Sequence, residues 1–321
     1  MKAIVYEKYG SPDVMRLAEI EKPTPKDNEV LVKIRAASVN AADWHLLTAD
    51  IFLVRLMMGF VKPKVSILGA DVAGQVEAVG RNVTQFQPGD EVFGDLAASG
   101  WGSFAEYVAV PESALALKPA NLSFEEAAAA PLAGVTALQG LRKGQIRPGQ
   151  KVLINGASGG VGTFAVQIAK ALGAEVTAVC STRNVDQARA LEADHVIDYT
   201  QEDFTQKGQQ YDLIFAANGY HPLSAYKRAL TPTGSYIMAG GAAKQIFEAT
   251  LLGPLMSLGG GKKLGNVSAS PNRQDLLTLK KMLETGQVRP VIDKRYSLED
   301  TPEALRYLGA GHARGKVVIA L

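Results

Sequence analysis

The sequence predicts an α/β protein with two domains, one rich in β-strands and one built on a doubly wound parallel sheet. Three observations support this prediction. The 321 residues are enough for two hydrophobic cores. Short strand-like runs separated by turns fill roughly the first 120 residues, whereas apolar strands alternate with helical segments from residue 122 onward. A glycine-rich loop joins the first strand of the alternating part to a helix.

The N-terminal part has the composition of a compact barrel or folded sheet. Its strand-like runs are rich in β-branched and aromatic residues, and turn signals such as Pro88-Gly89-Asp90 divide them. The predicted strands cover residues 2–7, 29–34, 72–79 and 103–110.

The alternating part begins with a helix that Ser123 caps, and Glu125 and Glu126 in its first turn favour that helix through its dipole. A predicted strand at 151–154 and an amphipathic helix at 161–172 follow. Strands that are apolar on both faces, with helices between them, indicate a parallel sheet. The further predicted strands cover residues 176–180, 195–198, 212–217 and 235–239.

The C-terminal part is expected to rejoin the first domain, so that the active site lies in a cleft between the two. Its predicted elements are a helix at 273–284, an apolar run at 289–292, a helix at 302–308 and a strand at 316–320. The predicted boundaries are residues 1–121 and 266–321 for the β-rich domain and 122–265 for the parallel sheet.

Composition excludes several functions. A net charge of +2 without dense Lys/Arg clusters argues against nucleic-acid binding. The single cysteine, Cys180, allows no intramolecular disulfide and no Cys-rich zinc lobe. Charges interrupt the apolar stretch at 46–61, and the stretch at 250–258 is too short to span a bilayer of about 30 Å. With no apolar leader at the N-terminus, we expect a cytoplasmic protein without an integral membrane segment.

The strongest motif is the run NGASGGVG at 155–162. It follows an apolar strand and opens an amphipathic helix, which is the context that a dinucleotide-binding loop requires. Gly156 permits the tight turn, Gly159 lets the backbone approach a pyrophosphate, and Gly162 lets the helix pack on the sheet. The alternative is a glycine turn without a ligand. The residues of this loop expected to bind the cofactor are Gly156, Ser158, Gly159, Gly160, Val161 and Gly162.

The choice of cofactor is read at the end of the next strand, where an NAD enzyme places an acid. Here the run at 180–184 reads CSTRN and contains no acid. Arg183 can pair with a 2′-phosphate, and Ser181 and Thr182 can donate hydrogen bonds to it. These residues favour NADPH, the alternative being that Arg183 is a solvated residue at a helix start.

These motifs together resemble the medium-chain dehydrogenase/reductase superfamily, in its zinc-independent quinone oxidoreductase branch, over essentially the whole chain. The run CSTRN and residues 218–219 and 291–293 particularly resemble chloroplast-envelope quinone oxidoreductase-like and enone reductase members. The matching stretches are residues 38–43, 69–80, 88–94, 134–138, 155–162 and 315–319.

The resemblance implies a GroES-like catalytic domain, a Rossmann domain and, usually, a homodimer. It also implies metal-free chemistry. Zinc-dependent relatives carry a Cys where this chain has Asn40 and a His where it has Ala70. A catalytic zinc needs three protein ligands and an open position, which these side chains cannot supply.

The resemblance also implies roles for residues outside the glycine loop. Asn40 is expected to line the nicotinamide and substrate side of the cleft, and Thr136 to lie near the nicotinamide. Asn218 falls at the carboxyl end of a strand, where ligands bind. Tyr199 resembles a family tyrosine near the adenosine phosphate, and Lys316 falls on the cofactor side. Alternatively, Thr136 satisfies a helix carbonyl and Tyr199 is an ordinary half-buried aromatic residue.

His45 departs from the branch, many of whose members have a tyrosine at this position. Zinc-dependent alcohol dehydrogenases often have a proton-relay histidine there. A histidine titrates near neutral pH and could protonate the oxygen that gains charge. The alternative is a partly exposed helix residue beside Trp44.

The sequence therefore predicts hydride transfer from NADPH to a small quinone or α,β-unsaturated carbonyl substrate, with Asn40 as the leading hydrogen-bond donor and His45 as the second. Two alternatives remain: an alcohol or aldehyde dehydrogenase, and an NADPH-binding sensor or interaction protein without turnover. Substrate choice is expected to depend on residues 46–64 and 242–263.

Overall fold

The computed structural model describes residues 1–241, 243–258 and 260–321. Residues 242 and 259, which belong to the second segment expected to affect substrate choice, lie outside the described residues. The chain divides into two compact units. The first contains Met1–Leu132, Pro271–Glu284 and Pro290–Leu321, and the second contains Ala133–Ser270 and Thr285–Arg289.

The N-terminal part of the chain is β-rich, as the sequence predicts. The helix that follows it begins at the predicted cap, because the Ser123 hydroxyl accepts a hydrogen bond from Glu126 N and the Glu126 carboxylate accepts one from Ser123 N. The elements from the N-terminus to this helix, which is α3, are β1 (Lys2–Val5), β2 (Arg16–Glu19), β3 (Glu29–Val39), α1 (Ala41–Thr48), α2 (Phe52–Met58), β4 (Asp71–Val79), β5 (Glu91–Asp95), β6 (Tyr107–Pro111), β7 (Leu115–Leu117) and α3 (Phe124–Ala128).

The middle part alternates strands and helices. Its six strands form one sheet in the order β10-β9-β8-β11-β12-β13, and every neighbouring pair is parallel. This confirms the predicted doubly wound sheet. Its elements are α4 (Pro131–Lys143), β8 (Lys151–Asn155), α5 (Gly160–Ala171), β9 (Glu175–Cys180), α6 (Val185–Ala190), β10 (His195–Asp198), β11 (Tyr211–Ala216), α7 (Leu223–Arg228), β12 (Leu230–Met238), α8 (Ala243–Phe247), α9 (Gly253–Met256) and β13 (Lys263–Asn266).

The C-terminal strand returns to the β-rich unit. Strand β15 pairs antiparallel with β3, so a seven-stranded sheet contains the path β14-β15-β3-β4-β5-β7, with β6 also paired to β3. The elements of this part are α10 (Arg273–Glu284), β14 (Ile292–Ser297), α11 (Thr301–Gly309) and β15 (Lys316–Ala320).

Strand register brings polar residues to one end of this sheet. Ser38 lies opposite Val318 of β15 on one side and opposite Asp71 of β4 on the other. Asp71 in turn lies opposite Asp95 of β5. Four neighbouring strands therefore contribute side chains to one row, which we call the polar row: Lys316, Ser38 with Asn40, Asp71 and Asp95.

One predicted strand differs from the structure. Residues 103–106 precede β6 rather than belonging to it, because Phe104 and Glu106 make backbone hydrogen bonds that lead to Ile4 and Lys2 of β1. Of the apolar run at 289–292, only Ile292 belongs to a strand, as the first residue of β14. Within the described ranges, no helix is long and apolar enough to cross a membrane.

Candidate functional site

The glycine loop connects β8 to α5, and its backbone geometry accepts only glycine at two positions. Gly156 has φ +78°, in the left-handed region. A Cβ at Gly162 would lie 2.0 Å from the carbonyl oxygen of Gly156, so the first turn of α5 packs directly on the loop. At Gly159 the situation is the opposite, because the nearest atom to a Cβ would be Gly156 O at 3.8 Å. Open space therefore lies beside the Gly159 backbone.

The first turn of α5 presents free N–H groups. Its first backbone hydrogen bond runs from Thr163 N to Gly159 O, at 2.9 Å. The N–H groups of Gly160, Val161 and Gly162 donate no hydrogen bond to any described residue. Free N–H groups at the positive end of a twelve-residue helix bind anions, and the pyrophosphate of a dinucleotide is such an anion.

Asn184, which the sequence analysis did not single out, connects this loop to the end of β9. Its Nδ2 donates hydrogen bonds to Ser158 Oγ at 2.9 Å and to Ser181 Oγ at 3.1 Å. Its Oδ1 is buried and accepts no hydrogen bond within the described chain. A buried acceptor without a donor is costly, and a ribose hydroxyl or an adenine amine would satisfy it. The glycine loop and Asn184 therefore fit a nicotinamide dinucleotide.

The region expected to read the 2′-phosphate contains an acid that the sequence analysis missed. Arg183 is exposed and lies in the turn Thr182–Asn184 after β9. The Thr182 hydroxyl donates to Asp198 Oδ2 at 2.5 Å, and the Thr200 hydroxyl donates to Asp198 Oδ1 at 2.8 Å. These hydrogen bonds, chiefly that from Thr182, lower the pKa of Asp198. A carboxylate therefore stands beside the loop, and it engages the Thr182 hydroxyl that was expected to face a phosphate.

The other residues expected to bind cofactor lie in different surroundings. Asn218 packs against the glycine loop, since a Cβ at Gly156 would lie 2.8 Å from Asn218 N. Tyr199 follows β10, donates its backbone N–H to Cys180 O at 3.0 Å, and leaves 60% of its surface exposed. Thr136 is buried within α4. The structure thus brings Asn218 to the glycine loop, while the roles of Thr136 and Tyr199 stay predictions.

Asn40 belongs to the polar row of the first unit, where all of its amide hydrogen-bonding groups are engaged. Its Oδ1 accepts a hydrogen bond from Lys316 Nζ at 2.5 Å, and its Nδ2 donates to Asp71 Oδ2 at 2.9 Å and to Ser38 O at 3.3 Å. The ammonium on one side and the carboxylate on the other fix the orientation of the amide. An amide has two N–H hydrogens, so none remains for a substrate oxygen. The expected role of Asn40 as a hydrogen-bond donor to substrate therefore does not follow from this geometry.

Lys316 forms a buried ion pair in the same row. Its Nζ lies 3.1 Å from Asp71 Oδ2, and the two side chains are 3% and 0% exposed. Its remaining contacts are with Asn40 Oδ1 and with Val39 O. These three contacts use the donors of its ammonium, so Lys316 organises the polar row, and its expected role toward the cofactor stays a prediction.

The polar row does not fit a zinc ion. Ala70 offers only a buried methyl group, and the Lys316 ammonium lies against Asn40 Oδ1, where it would repel a dication. Across the ranges that the structure describes, no three His, Cys, Asp or Glu side chains are grouped so as to hold a metal. Besides the carboxyl groups of Asp71 and Asp95, the row offers an amide and an ammonium, and it contains none of the thiolate or imidazole ligands that zinc prefers.

Two further carboxyl groups lie in or beside the row. Asp43 caps α1, and its oxygens accept hydrogen bonds from Asn40 N at 2.7 Å and Gly69 N at 2.9 Å. Burial raises the pKa of Asp43 to about 7, against the effect of these two N–H groups. Burial and, after it, the nearby Asp71 together raise the pKa of Asp95 to about 7.

His45 lies on α1 with its ring paired to an acid. The Nδ1 atom is 2.8 Å from Asp50 Oδ1, and the side chains of His45 and Asp50 are 32% and 45% exposed. A carboxylate at Nδ1 orients the ring and leaves Nε2 available. The proton-donor role of His45 stays a prediction.

Comparisons with known proteins find two matching family models and relatives that cover nearly the whole chain. Residues 26–120 match the family model described as "Alcohol dehydrogenase GroES-like domain", and residues 191–319 match that described as "Zinc-binding dehydrogenase". The chain is 36% identical to 2-methylene-furan-3-one reductase of Solanum lycopersicum, covering 99% of this chain and 79% of that protein. It is 33% identical to the chloroplastic quinone-oxidoreductase QR1 of Triphysaria versicolor, covering 99% and 98%.

Among solved structures, the chain is similar to Escherichia coli quinone oxidoreductase complexed with NADPH. The TM-score is 0.86 and the sequence identity is 26%, and the match covers 100% of both chains.

Proposed function

Because the chain belongs to the medium-chain dehydrogenase/reductase superfamily, we propose that it is a zinc-free, NADPH-dependent oxidoreductase that reduces a quinone or an α,β-unsaturated carbonyl compound. The observation that carries this proposal is the glycine loop, which combines open space at Gly159 with free N–H groups at the start of α5. The names of the relatives, a reductase of an unsaturated furanone and a quinone oxidoreductase, support the substrate class.

The residues proposed to hold the pyrophosphate and the nucleoside of the cofactor act at two places. The N–H groups of Gly160, Val161 and Gly162 bind the pyrophosphate. Asn184 Oδ1 accepts a hydrogen bond from the nucleoside, while Ser158 and Ser181 orient the Asn184 amide. Bound in this way, the dinucleotide supplies a hydride to the substrate.

The preference for NADPH over NADH rests on Arg183. Its guanidinium can form a bidentate, charge-assisted contact with a 2′-phosphate. Asp198 opposes this preference through its negative charge, which the hydrogen bonds from the Thr182 and Thr200 hydroxyls stabilise. The similar Escherichia coli quinone oxidoreductase was solved as a complex with NADPH, and this supports the proposed preference.

The polar row supports a substrate that already delocalises negative charge. Asn40 has no N–H to spare for a substrate oxygen, and no three metal-ligating side chains are grouped among the described residues, so the row has little with which to stabilise a localised alkoxide. Quinones and enones spread the incoming charge over a conjugated system. We therefore assign Asn40 a positioning role in the site, and we do not favour the alternatives of an alcohol dehydrogenase or of a sensor without turnover.

The direct test is NADPH oxidation by chelator-treated, dialysed protein across a panel of quinones, enones, alkenals and saturated aldehydes. We expect turnover with at least one quinone or enone, little with saturated aldehydes, and no loss of activity on chelation. Activity confined to saturated aldehydes and restored by zinc would contradict the proposal.

A homodimer belongs to this proposal, and the edge of the parallel sheet supports it. Strand β13 pairs only with β12 among the described strands, and a Cβ at Gly265 would meet no atom within 4 Å. Beside it, Phe247, Leu251 and Leu255 are 61%, 52% and 62% exposed. An open edge next to apolar side chains fits a second copy of the chain. The mass in solution should be about twice 34.1 kDa.

The compartment stays a prediction. The single, buried Cys180 suits the reducing cytoplasm, whereas the name of the quinone-oxidoreductase relative places that protein in the chloroplast.

A further inference from the structure

Asp95 is an acid of the polar row that neither the cofactor nor the positioning of Asn40 uses. It is the last residue of β5 and lies directly opposite Asp71 of β4 in the antiparallel ladder. The Cβ atoms of such a pair are about 4.5–5.5 Å apart. Two carboxyl groups at that distance disfavour each other's ionisation, and the one with fewer hydrogen-bond donors keeps its proton.

The hydrogen-bond donors are distributed very unequally between the two acids. Asp71 accepts hydrogen bonds from Ser38 Oγ at 2.6 Å, Asn40 Nδ2 at 2.9 Å, Lys316 Nζ at 3.1 Å and Leu132 N at 2.8 Å. Asp95 accepts one, from Ala97 N at 2.9 Å. Four donors, one of them a cation, stabilise the carboxylate form of Asp71. Of these two acids, Asp95 is therefore the one that keeps its proton.

Burial and the charged groups that face Asp95 set its pKa near neutral pH. Burial and the opposing Asp71 raise the pKa of Asp95 to about 7, while Ala97 N and the Lys316 ammonium lower it. Asp43 of α1 is the further acid beside the row, with Asp71 and Lys316 acting on it as well. A carboxyl group with a pKa near the working pH is suited to giving and regaining a proton in each turnover.

Asp95 also has an exchange route that Asp43 lacks. Asp95 Oδ2 accepts no hydrogen bond from a described residue and is not fully buried. The residue as a whole is 7% exposed. Asp43 is 0% exposed and both of its oxygens are engaged by backbone N–H groups. Of the two acids, Asp95 is therefore the one with an oxygen open to exchange with solvent.

We propose that the Asp95 carboxyl group is a catalytic residue that protonates the reduced substrate, with Asp71 holding it in the acid form. This inference rests on the proposed enone reductase function. Once the β-carbon of an enone has received the hydride, the enolate electron pair takes the Asp95 proton at the α-carbon. The O–H bond of Asp95 breaks, its electrons remain on the carboxylate, and water returns a proton. One hydride and one proton are consumed per saturated carbonyl formed.

The alternative is a purely structural role, since Asp95 also accepts the turn hydrogen bond from Ala97 N. Asp95→Asn separates the two roles, because the amide oxygen keeps that hydrogen bond while the acid is lost. Asp203→Asn is the matched control, because Asp203 accepts an equivalent hydrogen bond from Thr205 N at 2.8 Å. Asp95→Glu, which restores an acid, tests for rescue. His45→Gln tests the competing proton donor.

The experiment measures kcat for enone reduction from acid to alkaline pH in these variants, with quinone reduction in parallel. Wild type and Asp203→Asn should lose activity as pH rises through about 7, because the acid form of Asp95 is then depleted. Asp95→Asn should lower enone kcat by about a hundredfold and remove this pH dependence. Asp95→Glu should recover part of both. The infrared band of a protonated carboxyl group, recorded near pH 6 without cofactor, should be present in wild type and reduced in Asp95→Asn.

Three results would overturn the inference: an unchanged pH profile in Asp95→Asn, loss of the pH dependence in His45→Gln instead, or no difference in the infrared band. These results are distinct from a failure of the proposed function. If the proposed function is wrong, the wild type itself would oxidise no NADPH with quinones or enones, and the inference about Asp95 would then be wrong as well.

Discussion

At the scale of single residues, the proposed preference for NADPH depends on the balance between Arg183 and Asp198. Arg183 offers the positive charge that a 2′-phosphate needs, and Asp198 places a carboxylate beside the same turn through Thr182. The chain thus carries elements that favour each cofactor, and their relative contributions can be separated by substitution.

We predict that Arg183→Ala lowers kcat/KM for NADPH by about ten- to a hundredfold and changes that for NADH little, because a charge-assisted hydrogen bond contributes about 1.5–3 kcal/mol. Asp198→Asn should act in the opposite direction and raise the NADPH to NADH ratio, since it removes a negative charge while an amide oxygen still accepts from Thr182. Steady-state kinetics with both cofactors measures this. Equal effects of Arg183→Ala on the two cofactors would show that Arg183 does not contact the phosphate.

Some of these residues could be predicted from the sequence because their signal is local. The glycine loop and Arg183 lie within motifs whose spacing is read along one stretch of chain. Asp198 could not be found in this way, since it reaches the turn from the neighbouring strand β10. No local motif points to Asp95 either, because only the register of β4 and β5 places it opposite Asp71.

At the scale of elements, the start of α5 carries the cofactor argument. Gly159 and Gly162 are three residues apart and have opposite surroundings. A Cβ at Gly159 would project into open space, and one at Gly162 would overlap Gly156 O. The first glycine is therefore expected to serve the ligand, and the second to serve the packing of helix on loop.

We predict that Gly159→Ala leaves the Tm of the cofactor-free protein nearly unchanged and raises the Kd for NADPH tenfold or more, because the methyl group occupies space that the pyrophosphate needs. Gly162→Ala should lower stability by about 1–3 kcal/mol through overpacking. Thermal melting and cofactor titration of the two variants provide the comparison. If Gly159→Ala binds NADPH normally, the open space beside its backbone is not the phosphate site.

The elements also show where sequence patterns fail. The long apolar strands of the parallel sheet follow the predicted positions closely, because burial on both faces makes their composition distinctive. Strands β5 and β7, with five and three residues, went unpredicted. Short strands gain their stability from neighbours distant in sequence, and their own residues carry little periodicity.

At the scale of the whole molecule, the two units carry separable parts of the proposed chemistry. The second unit has the features that bind a dinucleotide. The first has a buried row in which Lys316, Asn40 and Asp71 satisfy one another and leave Asp95 as the acid. The sequence predicts that the C-terminal part rejoins the first domain, but it does not predict that β15 pairs with β3, the pairing on which this row depends.

The central claim is that hydride passes from bound NADPH to a conjugated acceptor without a metal. The most direct measurement uses NADPH deuterated at C4, an enone substrate, and chelator-treated protein, with mass spectrometry and NMR of the product. We predict one deuterium per product molecule at the β-carbon, and a solvent-derived hydrogen at the α-carbon. A saturated carbonyl product without deuterium at the β-carbon, or transfer of the label only after zinc is added, would contradict the account.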